Sequence, residues 1–588
     1  MADQAAASPL PPIKRYSGVL DYLSTVDHKK IGLMYFWLAL LSGLMGGALA
    51  GGIRFQLASP SAVWEYLQTA NLTGGEQPAG LFGTDTSIFS DTYKTFNQMT
   101  TMHASVMIFM VIIPAFAAFG NYLVPLQIGA RDMAFPKMNA MAFWLLIPAG
   151  VMLLGSFLVQ GGAASSGWTA YPPLSVIDSP GPGQDMWVLA IHMAGLSSIL
   201  GAINFIVTIV NMRAPGMSYM KMPLFTWATF INSIIQVIAT PVLGAAVTML
   251  LLDRNFGTGL LDASKGGDPA LYQHIFWFYS HPAVYIMILP GFGVVSHILT
   301  AFSRKRVFGY PAMVIAIASI AVLGFMVWAH HMFSIGMPPW MQAWFMIASM
   351  GIAVPTGIKI FSWLATLWGG TIRFTTSMLF SLGFISLFTL GGFGGLILGL
   401  VPIDYSLHDT YFVVGHFHYT LVGGSVMILF ASTWFYWPKM TGRFLSEKAG
   451  KASFWTMYMG TLIAFGTMHL SGAAGMPRRI GIYREEFIMA NHITTFGYAL
   501  TAISALILFG AVVASLMRKR DTEADDPWEI NDIQQSFEWA TSSPPPPYNF
   551  ETIPPIPVAD PMAHEHHHEE ASDQTPPESE PKDGEAAT

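Results

Sequence analysis

The chain of 588 residues contains no cysteine. Disulfides, thiolate-bound zinc, iron–sulfur clusters and covalently attached c-type haem are therefore excluded within it, and any metal must be held by histidine, methionine or carboxylate. Charged residues are also scarce, at 11% of the chain, where a soluble globular domain has roughly 25%. This composition excludes an ordinary soluble protein, and we expect no nucleic-acid partner.

The chain is instead rich in hydrophobic residues, which form long apolar runs. Hydrophobic residues make up 53% of it, and the mean hydropathy is +0.47. Apolar runs of about 20 residues, enough to cross a bilayer, recur between Ile31 and Met517, and we count about twelve of them. The pattern predicts an all-α membrane protein, a bundle of about twelve transmembrane helices. No internal repeat indicates an inverted-repeat transporter.

Lysine and arginine are distributed unevenly between the two sides of the predicted bundle. Loops on the side of the N-terminus carry roughly 19 of them and loops on the other side roughly 7, which predicts that both termini are cytoplasmic. We divide the chain into a cytoplasmic N-terminal segment, residues 1–30, a membrane domain, residues 31–520, and a Pro-rich acidic cytoplasmic tail, residues 521–588. The composition of the tail predicts disorder, and its cluster of histidines near residue 566 is interpreted as part of a solvated tract rather than as a metal site.

Six histidines lie in or at the ends of the apolar runs. They are His103, His281, His330, His331, His416 and His418. Polar groups inside a membrane are costly and tend to be functional. His416 and His418 are two residues apart and so face opposite sides of one helix, whereas His281 and Tyr285 are one turn apart on the same face.

Topology gives these histidines a common depth. With the N-terminus inside, the second, sixth and tenth spans enter from the outer face, and their histidines fall in the first turns of those spans. The adjacent pair His330 and His331 lies where the seventh span exits on the same side. We therefore expect all six to converge near the outer third of the bilayer.

Four segments carry a specific likeness to a known family. They are residues 121–139 (NYLVPLQIGARDMAFPKMN), 277–293 (WFYSHPAVYIMILPGFG), 328–333 (WAHHMF) and 408–419 (HDTYFVVGHFHY). In order and spacing they resemble the signature blocks of subunit I of the haem–copper terminal oxidases. The resemblance extends over nearly all of the hydrophobic length, and it implies a membrane enzyme that reduces O2 to water with two haems and one copper ion.

The resemblance implies a role for each histidine. His103 and His418 would be the axial ligands of a six-coordinate, electron-transferring haem, and His416 the proximal ligand of the high-spin haem at which O2 binds. His281, His330 and His331 would hold the copper ion opposite that haem. Tyr285 matches the family tyrosine that is cross-linked to the copper-ligating histidine four residues earlier and supplies an electron and a proton.

Further positions on the outer side match the same family. Arg478 and Arg479 resemble the pair that binds haem propionates, because guanidinium groups suit carboxylates, and we expect Trp168 to pack beside them. Arg54 matches the arginine that contacts the low-spin haem and favours haem A. His408 and Asp409 resemble a magnesium site, although magnesium usually prefers oxygen ligands.

Two proton routes follow from the resemblance. Lys359 matches the lysine of one route, with Thr356 one turn away and Ser296 near its cytoplasmic entrance. Asp132 matches the mouth of the second route, which Asn121, Asn139, Ser197, Ser198 and Asn204 would line. Many members carry a glutamate where this chain has Ala283. Here it resembles the variant subgroup in which a Tyr-Ser pair, Tyr279 and Ser280, stands in for that acid.

Three other functions compete with a cytochrome c oxidase. A transporter explains the spans but not the arrangement of histidines, and a nitric-oxide reductase normally lacks the His281/Tyr285 pair and uses non-haem iron. In a quinol oxidase the Arg, Asp and His of the quinol site would fall on Met45, Leu49 and Thr95, which leaves only Gln98 in place. That mismatch weighs against a quinol oxidase.

The resemblance also implies partners and a location. Electrons from cytochrome c would enter through a separate dicopper-bearing subunit II, because this chain has no cysteine for a thiolate-bridged dicopper centre. Further subunits, such as subunit III, are expected. The whole assembly is predicted to pump protons across a bacterial inner (plasma) membrane.

Overall fold

A computed structural model describes residues 18–58, 92–177, 179–481, 483–530, 533 and 536–553. Within them, eleven helices are long and apolar enough to cross a membrane, and one further long helix, Glu447–Ala473, precedes the last of these. The twelve long helices in chain order are α1 (His28–Ala58), α2 (Lys94–Ile128), α3 (Pro136–Leu158), α4 (Pro182–Asn211), α5 (Leu224–Phe256), α6 (Pro269–Ser303), α7 (Tyr310–Ile335), α8 (Pro339–Leu367), α9 (Thr376–Leu398), α10 (Tyr411–Thr441), α11 (Glu447–Ala473) and α12 (Glu485–Leu516).

The all-α membrane fold predicted from the sequence is confirmed. In the described ranges there is no β-strand, and the only β-type pairing there is an isolated bridge between Thr410 and Pro477. Helix α11 is less apolar than the others because its first turns carry Glu447, Lys448 and Lys451, but it packs along α12 and against the first half of α10. Counting it, the number of long helices matches the expected twelve.

Two helices form the centre of the bundle. In the most apolar stretches of α2 and α6, 78% and 89% of the residues are buried, whereas in α8 and α12 only 22% are. The peripheral helices therefore present large apolar side chains outward, such as Trp344 and Phe361 of α8. In a membrane, such a surface faces lipid or another hydrophobic subunit.

The helices are interrupted where the predicted ligands lie. A π-helical segment, Met107–Ile112, follows His103 in α2, and a second one, Leu421–Val426, follows His418 in α10. A 3-10 segment, Trp328–Ile335, ends α7 and carries the adjacent histidines. Wider or tighter turns of this kind rotate side chains out of the regular α-helical register and are frequent at functional sites.

The expected positions of the histidines within their helices were partly wrong. His281 lies about three turns into α6, and His103 lies a similar distance into α2. Both helices begin earlier than hydrophobicity alone predicts. The first turns of α2 carry polar residues such as Lys94 and Asn97. The start of α6 is capped by Asp268, which accepts a hydrogen bond from Ala270 N at 2.8 Å, and Pro269 occupies the first turn. All six histidines nevertheless border one cavity.

Part of the predicted disordered tail is packed. We call residues 536–550 the C-terminal strap. Trp539 in this strap is fully buried and stacks on Tyr436 of α10, with ring centroids 5.9 Å apart and planes 7° apart. Lys439 at the end of α10 donates to the carbonyl groups of Asp525 and Thr541, both at 2.6 Å. The strap therefore lies against the ends of the helices, while the tail histidines near residue 566 lie outside the described residues.

Candidate metal and proton-transfer site

A large cavity of about 1050 Å³ runs through the bundle. Small-molecule and cofactor pockets typically measure roughly 300–1,000 Å³, so this one has room for large organic cofactors. All six predicted histidines border it, as do Tyr285 and Thr356. So do the predicted outer-side residues, namely Arg54, Trp168, His408, Asp409, Arg478 and Arg479.

Three histidines converge at one point of this cavity. His281 Nδ1 and His330 Nε2 each lie 3.2 Å from His331 Nε2. In the part of the chain that the structure describes, this is the only group of three or more potential ligands within reach of one metal ion. Imidazole nitrogens without a carboxylate suit copper, zinc or iron rather than magnesium or calcium. The residues therefore fit a single transition-metal ion.

Neighbouring side chains fix the orientation of two of these rings. The Nδ1 atom of His330 lies 2.8 Å from Ser349 Oγ of α8, which leaves Nε2 to face the other two histidines. Trp277 stacks on His331 with ring centroids 3.8 Å apart and planes 13° apart. Such supporting contacts hold ligand rings in place at metal sites. Ser349 was not predicted from the sequence, since it lies on another helix.

The remaining nitrogen of His281 faces a different neighbour. His281 Nε2 is buried and has no hydrogen-bond partner among the described residues. The ring of Tyr285, one turn further along α6, lies 4.8 Å from the His281 ring at an interplanar angle of 66°. The predicted shared face is thus confirmed as a contact between imidazole and phenol.

His103 and His418 face each other across a gap. Their rings are nearly parallel, with centroids 6.4 Å apart and planes 11° apart. His103 Nδ1 lies 2.8 Å from the Gly46 carbonyl and His418 Nδ1 lies 2.9 Å from the Val414 carbonyl. A carbonyl only accepts, so each Nδ1 carries the proton and each Nε2 is left as a metal ligand. The pair fits one ion held between two axial imidazoles.

His416 turns away from His418, as the spacing predicts. Its Nδ1 lies 2.8 Å from the Gly391 carbonyl of α9, so its Nε2 also keeps a free lone pair. Glycine is needed beside it: a Cβ atom on Gly395 would come within 2.8 Å of His416 Cε1. Helix α10 thus presents one ligand towards α2 and a second towards α9.

Charged groups gather at one end of the cavity. Arg478 pairs with Asp409, and this pairing outweighs the effect of burial and lowers the pKa of the Asp409 carboxyl. Burial, followed by repulsion from Arg478, lowers the pKa of Arg479 to about 10. Arg478 Nε is buried without a partner in the described ranges. A donor is therefore left for an anionic group inside the cavity.

His408 is tied to a carboxylate that the sequence did not single out. Its Nδ1 lies 2.8 Å from Asp404 Oδ2, one turn earlier. Burial lowers the pKa of His408, but the hydrogen bond and charge of Asp404 outweigh it, and the net shift is upward. The i,i+4 spacing of Asp404 and His408 was the available signal for this pair.

The other two predicted cavity residues are held by the surrounding helices. Arg54 at the end of α1 donates from Nη2 to Asn491 Oδ1 at 2.8 Å and from Nε to Thr495 Oγ1 at 3.2 Å. Trp168 packs edge-on against Phe276, with ring centroids 5.3 Å apart. Both side chains are therefore fixed in place before any cofactor binds.

Lys359 lies apart from the cavity lining and is fully buried. Its Nζ lies 3.7 Å from Met313 Sδ and 5.4 Å from the ring centroid of Trp363. Trp363 in turn donates to Ser296 Oγ at 2.9 Å, so Ser296 and Lys359 share a neighbour. Thr356, one turn before Lys359, borders the cavity. These residues form a chain of neighbours from Ser296 on α6, through Trp363 and Lys359 on α8, to Thr356 at the cavity wall.

The residues predicted for the second proton route lie around α2, α3 and α4. Asn121, Ser197 and Ser198 border a small cavity of about 40 Å³, which exceeds the roughly 10–15 Å³ that one water needs. Asn139 Nδ2 and Asn121 Oδ1 are buried without partners in the described ranges, and Asn204 Oδ1 accepts from Phe135 N at 2.9 Å. In the loop between α2 and α3, burial raises the pKa of Asp132 to about 6.

Tyr279 and Ser280 are both buried in α6. Ser280 Oγ has no hydrogen-bond partner within the described part of the chain. Ala283, also buried, follows Tyr279 by one turn. A buried hydroxyl left unpaired is costly, which is a reason to expect a bridging polar group there.

Comparison with known proteins gives a consistent result. The family model of cytochrome c and quinol oxidase polypeptide I matches residues 30–507. Cytochrome c oxidase subunit 1 of Thermostichus vulcanus is 46% identical over 91% of both chains, and that of Cereibacter sphaeroides is 44% identical over 91% of this chain and 94% of the relative. The subunit of the same name from Bacillus subtilis (strain 168) is 43% identical over 93% and 83%.

A solved structure shows the same architecture. The cryo-EM structure of a heme-copper terminal oxidase dimer superposes with a TM-score of 0.69, covering 93% of this chain and 97% of that one. The sequence identity is 18%, so this likeness concerns the fold alone.

Proposed function

The chain belongs to the cytochrome c and quinol oxidase polypeptide I family, and we propose that it is the catalytic subunit of a cytochrome c oxidase, which reduces O2 to water and couples this reaction to proton pumping. The observation that carries the proposal is the group of His281, His330 and His331 facing Tyr285. This group shares one cavity with His416 and with the facing pair His103 and His418.

The ligand sets described above support two haems and one copper ion. His103 and His418 would hold the low-spin haem, His416 the high-spin haem, and the other three histidines the copper ion. When bound, these groups would pass on electrons from the donor and provide the metal centre at which O2 is reduced. Five of these six imidazoles are fixed by a hydrogen bond on the opposite side of the ring or by a stacked side chain, which prevents those rings from turning away, and His281 lies against the ring of Tyr285.

Tyr285 would supply a proton and an electron at the site of oxygen reduction. Its ring lies against His281, whose Nε2 has no other partner among the described residues. Gly324 of α7 gives it room, because a Cβ atom there would lie 2.8 Å from Tyr285 Cδ2. The bond between this phenol ring and His281 Nε2 would fix the hydroxyl beside the copper ligands.

Arg478 and Arg479 would bind haem carboxylates at the outer end of the cavity, with Trp168 beside them. The unpaired Nε of Arg478 supports this role. His408 and Asp409 would contribute to a magnesium site. They offer one imidazole nitrogen and one carboxylate, so oxygen ligands from water or a partner subunit would complete the coordination that magnesium prefers.

Protons would reach the cavity by two routes from the cytoplasm. Ser296, Lys359 and Thr356 would form one of them. The other would start at Asp132 and continue past the polar residues of α2, α3 and α4, namely Asn121, Asn139, Ser197, Ser198 and Asn204. At its inner end, Tyr279 and Ser280 would replace the missing glutamate. The unpaired hydroxyl of Ser280 supports a bridging water beside it.

Haem A is the proposed cofactor, supported by the fixed position of Arg54 beside the low-spin ligands. Haems a, o and b can use the same axial histidines and differ at their periphery. Pyridine haemochrome spectra of the extracted cofactor would decide, and a spectrum of haem b or o in both positions would contradict haem A.

The electron donor would be cytochrome c, acting through a separate subunit II that carries a dicopper centre, with further subunits such as subunit III in a bacterial inner membrane. Both chain termini would lie in the cytoplasm. Quinol finds little support, because Gln98 donates to the Gly161 carbonyl at 3.0 Å and the other expected quinol residues are absent.

The test is steady-state oxygen consumption by the purified complex. We expect faster turnover with reduced cytochrome c than with ubiquinol. Faster turnover with ubiquinol would reject cytochrome c as the donor, while the absence of visible haem absorption bands would reject a terminal oxidase altogether.

A further inference from the structure

The C-terminal strap ends in a fully buried amide. Asn549 is 0% exposed. Its Nδ2 lies 2.8 Å from the Ala130 carbonyl and 2.9 Å from His28 Nε2, and its Oδ1 accepts from Lys29 Nζ at 2.9 Å. One side chain thus contacts the start of α1 and the loop between α2 and α3.

The hydrogen bonds define the orientation of this amide. His28 Nδ1 lies 2.6 Å from the Asn121 carbonyl and must donate to it. His28 Nε2 is then an acceptor, so Nδ2 of Asn549 can give one hydrogen to His28 and the other to Ala130. Lys29 Nζ occupies the amide oxygen. Both hydrogens and the oxygen of Asn549 are therefore used.

These contacts surround Asp132. Asp132 Oδ1 accepts from Met133 N at 2.7 Å, and its carboxylate also receives the backbone N–H of His28. Lys29 pairs with Asp27 at 3.4 Å. Asp27 and Lys29 are the charged groups that act on Asp132 from this side, and the strap contributes only the uncharged Asn549.

The strap has further anchors besides Asn549. Glu538 is 0% exposed and accepts from Gln127 Nε2 at 2.9 Å and from the Ser536 hydroxyl. Thr541 Oγ1 donates to the Asn549 carbonyl at 2.6 Å. Together with the stacked Trp539, these contacts hold Asn549 in place.

We propose that Asn549 is a positioning residue for proton entry, which holds His28, Lys29 and the loop at Ala130 around Asp132. This inference rests on the proposed role of Asp132 as the mouth of a proton route. It explains why a strap from the far end of the chain is packed into this mouth through an amide with no free donor.

Loss of the amide should change how Asp132 holds its proton. Burial is the main cause of its raised pKa, with Asp27 raising it further and Lys29 opposing. When the Asn549 amide is removed, water should enter and Asp132 should become less buried. The pKa of Asp132 should then fall from about 6 towards its ordinary value of 3.8. A carboxyl that releases its proton at lower pH supplies protons poorly at neutral pH.

The experiment uses the complete purified complex with Asn549→Leu, and with Asn549→Ser as a second variant that tolerates water if the leucine disturbs folding. Ser543→Ala is the matched control, because it removes one buried strap hydrogen bond, to the Ala524 carbonyl at 2.6 Å, without contact to the mouth. We expect both Asn549 variants to keep their haem spectra and to shift the alkaline limb of the turnover–pH profile down by about one pH unit. Ser543→Ala should keep the parental profile.

An unshifted turnover–pH profile in the Asn549 variants, or a loss of turnover that is equal at every pH, would reject the positioning role of Asn549. Asp132→Asn separates this failure from failure of the underlying route. If Asp132→Asn slows proton uptake while the Asn549 variants keep the parental pH profile, only the positioning role of Asn549 is wrong. If Asp132→Asn leaves proton uptake and turnover unchanged, the route through Asp132 is wrong as well.

Discussion

His330 uses its two ring nitrogens for different purposes. Nδ1 lies beside the Ser349 hydroxyl, and Nε2 faces His331. Its neighbours in the group are imidazoles, so without a metal the three nitrogens would have little to hold them together. The ligands proposed for the low-spin haem, His103 and His418, lie on other helices and share no hydrogen bond with it.

This separation predicts the effect of His330→Ala. We expect the variant to lose copper and oxygen reduction and to keep the low-spin haem spectrum, because only the copper set loses a ligand. Metal analysis of the purified complex measures the change. His192→Ala is the control, since His192 contacts Thr248 at 2.9 Å away from the cavity. Unchanged copper content and normal activity in His330→Ala would show the assignment to be wrong.

A second residue prediction concerns the missing glutamate. Tyr279 lies one turn before Ala283, and a phenol can donate and accept a proton where alanine cannot. We expect Tyr279→Phe to slow turnover and proton pumping by about tenfold, or about 1.4 kcal/mol in the barrier, with both haems retained. Adding Ala283→Glu should restore part of the activity. Pumping at the parental rate and stoichiometry in Tyr279→Phe would instead favour an ordered water chain.

At the scale of elements, the sequence predicts the spans and the residues that face one another along a helix. The opposite faces of His416 and His418 and the shared face of His281 and Tyr285 follow from helical periodicity alone. Hydrophobicity does not detect polar first turns, which is why the sequence predicts starts for α2 and α6 that lie too late along the chain. The sequence also did not predict Ser349 as the partner of His330, because contacts between residues on different helices leave no local sequence pattern.

The packing of α9 against α10 gives a prediction at the same scale. Alanine at Gly395 would place a Cβ 2.8 Å from His416 Cε1, and the ring has little freedom because Nδ1 is bonded to Gly391. We expect Gly395→Ala to weaken binding of the high-spin haem, seen as a smaller carbon monoxide difference spectrum, while the low-spin bands persist. Gly244→Ala on α5 is the control, because a Cβ there meets nothing within 4 Å. Equal carbon monoxide binding in the two variants would contradict this packing argument.

At the scale of the whole molecule, the C-terminal strap joins parts of the chain that are far apart in sequence. Composition predicted disorder beyond residue 520 because proline and acidic residues dominate there. The large aromatic residues of this region, Trp528, Phe537, Trp539 and Phe550, were the contrary signal, since disordered segments are poor in aromatics. Of these, Phe537, Trp539 and Phe550 are buried in the structure. Their burial ties this part of the chain to the ends of α2 and α10.

The strap should therefore stabilise the entire bundle. Trp539 is fully buried, stacks on Tyr436 and lies 5.5 Å from Lys439 Nζ. Replacing a buried tryptophan by alanine typically costs about 3–5 kcal/mol, through lost burial and the cavity left behind. We expect Trp539→Ala to lower the temperature at which the purified complex loses its haem absorption bands, and Trp539→Phe to lower it less because much of the ring contact remains. Deleting residues 554–588, whose composition predicts no packed core, should leave that temperature unchanged. If Trp539→Ala loses its haem bands at the parental temperature, or if the deletion lowers that temperature more, the strap does not stabilise the bundle as proposed.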